Sequence, residues 1–348
     1  MSPPARTLIF VPLREEMSHV DTVARSLGYS HARGKFDQRA PNHTYTYTRP
    51  NRERATVTFV VLGDAGNTRA AASVAAAFDL FRPQVILLAG LAGSLDPAQA
   101  RLGDVFVIDM AKMLYADKIK ELDPTHELLG PQASIPADGI APDGRRMFDE
   151  RKAVMGDGNV LRYRRDLASD AAGGIMVANY MNGLGSRQPL ALEAVTDQVL
   201  GLLPPGEVAR YVNTKPGVRS GVVLASEMVI DSQPYIDFVQ ERNADESAGW
   251  YAVHGGPEAS ARNPWITGDL PIVDMESYGF FKFAETMVRS GVTLRAFAVR
   301  GVSDLAADKA VLDKSSKDQV RAIAARNATV VALDLLRAID AAELSGRP

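Results

Sequence analysis

The stretch Ala55 to Leu95, ATVTFVVLGDAGNTRAAASVAAAFDLFRPQVILLAGLAGSL, decides the fold class. Its first part, ATVTFVVLGD, is β-branched and strand-like. AGNTRAAASVAAAFDLF is alanine-rich and reads as a helix of high propensity. PQVILLAGLAGSL is a second apolar run, expected to be a buried strand ending in a glycine turn at Ala89 to Leu95. A strand that is apolar throughout, without alternation, is covered on both faces. Strand, helix and buried strand in succession make a βαβ unit, the building block of an α/β fold.

The same rhythm extends in both directions. Upstream, RTLIFVPL is a short buried-strand run. REEMSHVDTVARSLGY sets Met17, Val20, Val23, Ala24 and Leu27 at helical spacing. Downstream, LGDVFVIDMAKML is another strand. The pattern resumes at SGVVLASEMVIDS, followed by expected helices at PYIDFVQERNA and VDMESYGFFKFAETMVRSG, then the strand VTLRAFAVRGVSD. The last helix, KSSKDQVRAIAARNATVVALDLLRAID, carries Val320, Ile323, Ala324, Ala328, Val331 and Leu335 on one face. These elements predict one α/β domain spanning residues 1–348, with a largely parallel or mixed sheet covered by helices.

Between about residues 115 and 218 the rhythm breaks and Pro, Gly, Asp and Arg become frequent. This block reads as a large insertion in the α/β core, with one helix expected at LALEAVTDQVLGLL. Its cations, among them Arg145, Arg146, Arg151, Lys152, Arg162, Arg164 and Arg165, are interleaved with acids. They read either as a solvated surface or as phosphate ligands.

Composition narrows the classes. With 348 residues, 46% hydrophobic and 23% charged, the chain has the make-up of a soluble globular protein. A net charge of −3 gives no overall attraction to nucleic acid or anionic membrane. There is no cysteine, which excludes disulfides and thiolate chemistry and accords with a cytoplasmic location. The first apolar run, about seven residues before Arg14, is marginal for a signal segment and too short to span a membrane. The five histidines are scattered without metal-ligand spacing, so neither a metal nor another cofactor is expected.

In a sheet of this kind ligands sit beyond the carboxyl ends of the strands. Four strand ends carry suggestive residues: Glu15-Glu16, the glycine-bearing AGLAGSL, Asp274-Met275-Glu276, and Ser303-Asp304. Each alone reads as a cap or a turn. Together they put two or three carboxylates at the ends of one sheet. Two carboxyls in different environments are the equipment for breaking a glycosidic bond, one as acid and one activating water.

The ordered set LIFVPLREEM, GDAGNTRAA, ILLAGLAGSLDPAQARLGDVFVID, GVVLASEMVID, IVDMES and VRGVSDLAADK resembles the purine nucleoside phosphorylase/uridine phosphorylase superfamily. Within it the chain is most similar to the methylthioadenosine/S-adenosylhomocysteine nucleosidases, over roughly residues 6–115 and 217–340. The resemblance implies a three-layer fold whose central mixed, partly barrel-like sheet is flanked by helices. It implies a hydrolase acting on N-glycosyl compounds, an N-glycosidase that releases a purine base, adenine foremost, from a nucleoside or nucleotide. Asp304 then resembles the acid at purine N7, with Ser303 its positioning neighbour, and Glu16 the residue that activates water. Glu276 resembles the holder of the ribose hydroxyls and Met275 the residue packed on the sugar. Ala92 and Gly93 line the sugar–base cleft, and Ile230 recognises the base. A small-molecule partner and a homodimer are implied.

Two departures matter. Phosphorylases of the superfamily bind phosphate with an arginine where this chain has Leu88, and carry Gly-Asp-Pro where it has Val11-Pro12-Leu13. This favours water over phosphate as nucleophile, with phosphorolysis the same-fold alternative. At Val229 the nucleosidases carry a phenylalanine against the base, and Tyr278 is one aromatic that could replace it. A non-catalytic nucleoside-binding module is the alternative of another class.

Overall fold

Strand β1 (Thr7–Val11) is buried along its whole length, and its side chains alternate between two cores. Ile9 and Val11 enter one core, Leu8 and Phe10 the other. Such a strand needs a layer of helices on each face. In this computed structural model the described residues are 7–32, 34–63, 65–121, 148–149, 152–154, 159–168, 173–184, 189–196, 205–237, 239–240, 243–244, 269–307, 312 and 314–344.

The first core lies between the sheet and the helices α1 (Arg14–Ser26) and α6 (Lys314–Leu344), which pack on each other. The second lies under α2 (Asn67–Phe81) and α5 (Ser277–Arg289), also packed as a pair. Two shorter helices, α3 (Gly173–Leu184) and α4 (Pro205–Tyr211), lie between them in sequence.

The sheet is mixed and partly closed. Strand β5 (Val85–Ser94) runs parallel to β1 and to β12 (Arg295–Leu305). β12 pairs antiparallel with β6 (Val105–Glu121), which runs parallel to β10 (Val218–Ala225). β10 pairs with β11 (Ile272–Asp274), and β11 returns antiparallel to β5. The five strands β5, β12, β6, β10 and β11 thus close a ring. One arm leaves it through β1 to β4 (Arg54–Val61), β3 (Asn42–Thr48) and β2 (Ser30–His31). The other leaves through β6 to β9 (Asn159–Ala168), β8 (Lys152–Val154) and β7 (Phe148–Asp149). The expected mixed, partly barrel-like sheet between helical layers is the architecture found.

Three local expectations change. The glycine turn at Ala89 to Leu95 is not a turn: β5 runs on to Ser94, with Gly90 and Gly93 inside it. A Cβ at Gly90 would stand 2.4 Å from Arg300 Nη1 and 2.8 Å from the Pro12 ring, and one at Gly93 would stand 2.9 Å from Asp304 Oδ1. These glycines make room across the ladder instead of reversing the chain. The helix expected at LALEAVTDQVLGLL is absent from its described part, residues 190–196, which is neither helix nor strand. There the Asn327 side chain takes over the backbone's hydrogen bonds: the Glu193 amide donates to Asn327 Oδ1 (2.8 Å), and Asn327 Nδ2 donates to the Glu193 carbonyl (2.8 Å). In addition β6 is longer than expected and carries the sheet to Glu121, pairing with β9. The strands β6, β9, β8 and β7 therefore bring part of the expected 115–218 insertion into the sheet. Arg145, Arg146 and Arg151 lie outside the described residues. No described helix is long and apolar enough to cross a membrane.

Candidate active site

One cavity of about 390 Å³ opens at the strand ends. It is lined from the turn after β1 (Pro12, Leu13) and the first turn of α1 (Glu16), from β5 (Leu91, Ala92, Gly93) and from the segment after β10 (Met228, Val229, Ile230). The β11–α5 junction adds Val273 to Glu276, β12 adds Ser303 and Asp304, and α6 adds Lys317, Asp318 and Arg321 at the rim. All nine residues singled out in the sequence, Asp304, Glu16, Glu276, Met275, Ser303, Ala92, Gly93, Ile230 and Val229, stand around this one space. Tyr278 is not among the lining residues; it packs against the α2–α5 core.

Asp304 is aimed by a defect in the ladder. β12 and β5 stay in register from Arg295 opposite Val85 to Val302 opposite Ala92, then resume at Asp304 opposite Gly93. Ser303 is the extra residue, a bulge that re-aims the side chain after it. The Ser303 hydroxyl lies 3.0 Å from Asp304 Oδ2 and 3.3 Å from the Ala92 carbonyl, so it can fix the carboxyl's direction.

Glu16 stands at the third position of α1. The Leu13 amide donates to its carboxyl, the reach-back half of a capping box. Its Oε2 is buried with no hydrogen-bond partner. Burial pushes the Glu16 carboxyl up to about 8, against the pull of Arg300 and with a further push from Glu276. A helix cap alone would not need such burial.

Glu276 is the N-cap residue of α5, but its side chain does not cap the helix. Capping falls to Asp274, whose Oδ1 accepts from the Ser277 amide (3.2 Å) and whose Oδ2 accepts from the Ser277 hydroxyl. Arg300, fully buried, joins the two acids: its Nε lies 2.6 Å from Asp274 Oδ2 and its Nη2 donates to Glu276 Oε2 at 3.0 Å. Burial works against the Arg300 charge, yet Asp274, Glu276 and Glu16 together hold it above its ordinary value. Glu276 is raised by burial, with Arg300 opposing and Asp274 reinforcing the shift, and it also accepts from the Gly66 amide.

Sequence reasoning missed Arg300. The signal was there: a cation in the middle of the apolar run Ala296 to Val302 must be met by buried carboxylates. A second bracket ties the walls together. The Gly279 amide donates to Asn67 Oδ1 (3.0 Å), and Asn67 Nδ2 donates to the Ser226 carbonyl (3.1 Å). Glu227 accepts from the Thr68 amide at 3.1 Å and caps α2 from a distant part of the chain. The segment after β10 is thereby fixed to both α2 and α5.

No protein-family model and no curated protein matches the chain. Among solved structures, it is similar to a mutant methylthioadenosine nucleosidase of Helicobacter pylori crystallised with 5′-methylthioadenosine. Identity there is 12%, over 96% of this chain and 99% of that one, with a TM-score of 0.49. The 5′-methylthioadenosine/S-adenosylhomocysteine nucleosidase of Neisseria meningitidis, in complex with methylthio-immucillin-A, is 14% identical over 95% and 99%, at 0.49. Futalosine hydrolase of Helicobacter pylori strain 26695 is 13% identical over 95% and 97%, at 0.46.

Proposed function

We propose that the chain is an N-glycosidase that hydrolyses a purine nucleoside or nucleotide, with adenine as the base, to free base and sugar. The observation that carries this reading is the placement of Glu16 and Asp304 on one cavity where a further carboxylate, Glu276, is locked by Arg300.

Glu276 accepts hydrogen bonds from the ribose hydroxyls, and Met275 packs on the sugar. The base lies between Asp304 and the segment Met228 to Ile230. As the C1′–N9 bond breaks, its electron pair moves onto the purine, and Asp304 gives a proton to N7. Water adds its oxygen to C1′ and gives a proton to Glu16. The enzyme resets when Asp304 regains a proton from solvent and Glu16 releases one. A base whose proton affinity lies near the working pH suits this task, and burial tunes Glu16 in that direction. The oxocarbenium-like transition state places positive charge above Glu16, which favours its ionised form.

Water is favoured over phosphate because Leu88 is wholly buried in the apolar core, and Arg300, paired through Nε and Nη2 and with Nη1 buried and unpartnered among the described residues, is fully buried and not among the residues that line the cavity. Incubating adenosine with and without inorganic phosphate tests this. Equal adenine release in both, with ribose as the sugar product, is expected; ribose 1-phosphate would mean phosphorolysis.

A further inference from the structure

Lys317 has no place in the hydrolysis just described, and Arg321 enters it only as the weakest of the groups acting on Glu16, which it pulls down. They lie one helical turn apart on the first turns of α6, and both line the cavity. Lys317 is half-buried and Arg321 is exposed at the mouth. Neither is within ion-pair distance of an acid among the described residues. Beyond them the cavity adjoins a second hollow of about 350 Å³ between α1 and α6. The two spaces share Glu16, Leu91, Asp318 and Arg321, whereas Asp304, Met275 and Glu276 line only the first.

This layout assigns the ends of a ligand. A purine ribonucleoside offers its base to Asp304, its 2′ and 3′ hydroxyls to Glu276, and C1′ to the water held by Glu16. The one position left to carry an arm is the 5′ carbon, and the space left for it leads past Glu16 and Leu91 toward α6. That space meets two cations, Lys317 and Arg321, and two acids of the first cavity, Glu16 and Asp318, with Glu15 and His19 farther along the hollow. Guanidinium and ammonium groups four residues apart on a helix can share one anion.

We infer that the substrate carries a phosphoryl group on its 5′ carbon, held by Lys317 and Arg321, so that a nucleoside 5′-phosphate is preferred over an uncharged nucleoside. This rests on the N-glycosidase reading for the placement of base and sugar.

The test compares AMP, adenosine and 5′-methylthioadenosine on the wild type and on Lys317→Ala/Arg321→Ala, by adenine release and by calorimetric binding. The expected result is a kcat/KM for AMP at least tenfold above that for either neutral nucleoside. In the double variant that preference collapses to within about threefold, chiefly through KM. Asp318→Asn, which removes the one acid at the rim, should strengthen AMP binding. The inference is overturned if a neutral nucleoside is cleaved as well as AMP, or if the double variant keeps the AMP preference. If no nucleoside or nucleotide loses its base, the hydrolytic reading falls, and the binding data decide the inference. AMP binding at least tenfold tighter than adenosine, lost in the double variant, supports it; equal binding overturns it.

Discussion

At the scale of single residues, Glu16 joins the proposed chemistry to stability. Its carboxyl is pushed by burial from 4.5 to about 8 in the folded chain. Above pH 4.5 the unfolded chain has lost that proton while the folded chain keeps it. The stability tied to Glu16 is therefore full below pH 4.5 and drains away as pH rises to about 8. Glu16→Gln removes this slope. Urea unfolding at pH 5 and pH 9 should show the wild type losing roughly 2 to 4 kcal/mol more than the variant over that interval. The same titration should appear in catalysis, with kcat/KM rising as pH increases toward about 8. Removing the carboxylate should lower turnover by roughly 10² to 10⁴-fold. Asp304→Asn should cost a similar factor while nucleoside binding, read by calorimetry, persists. Arg300 belongs to stability as well. Arg300→Ala leaves Asp274 and Glu276 buried without their counter-ion and should destabilise by about 3 to 5 kcal/mol in a denaturant melt. Arg300→Lys should recover part of that loss.

At the scale of elements, the strand ends explain what could be read in advance and what could not. Asp274-Met275-Glu276 and Ser303-Asp304 were legible because polar residues interrupt runs that are otherwise apolar. The division of labour inside the first triplet was not, because either Asp274 or Glu276 could cap the helix by sequence alone. Arg300 reaches both acids and both line the cavity; what separates them is Ser277, whose amide and hydroxyl donate to Asp274, the cap, and leave Glu276 free of that task. The glycines of β5 misled for the opposite reason. Local propensity points to a turn, but Gly90 and Gly93 answer to side chains across the ladder. Gly93→Ala tests this: a Cβ there would stand 2.9 Å from Asp304 Oδ1, so turnover should fall at least tenfold while the thermal midpoint moves little. β3, with its NHTYTYT alternation, was readable as a strand but passed over. Its Tyr45 and Tyr47 are buried, and Tyr47 donates to Asp340 of α6 at 2.6 Å. At Gly301 strand and helix touch most closely, since a Cβ would lie 2.1 Å from the Ala324 carbonyl. Gly301→Ala should therefore destabilise by roughly 1 to 3 kcal/mol, measured by chemical denaturation.

At the scale of the whole molecule, a closed ring of five strands places six chain segments around one mouth, and the helical layers hold them there. β1 and β5 were legible as buried strands because they are almost wholly apolar, and β12 because an apolar run precedes its polar end. The ring closure was not, since it depends on β12 pairing with β5 on one side and β6 on the other. The described strands of the 115–218 block extend that sheet, which no periodicity in its Pro-, Gly- and Arg-rich sequence announces. The central claim is that this mouth cleaves an N-glycosidic bond with water. The most direct test is chromatography of the products from adenosine, 5′-methylthioadenosine and AMP in phosphate-free buffer, with Asp304→Asn alongside. The account predicts free adenine and a sugar with a C1′ hydroxyl from at least one of the three, lost in the variant. No base released from any of them, or release that needs phosphate, would contradict it.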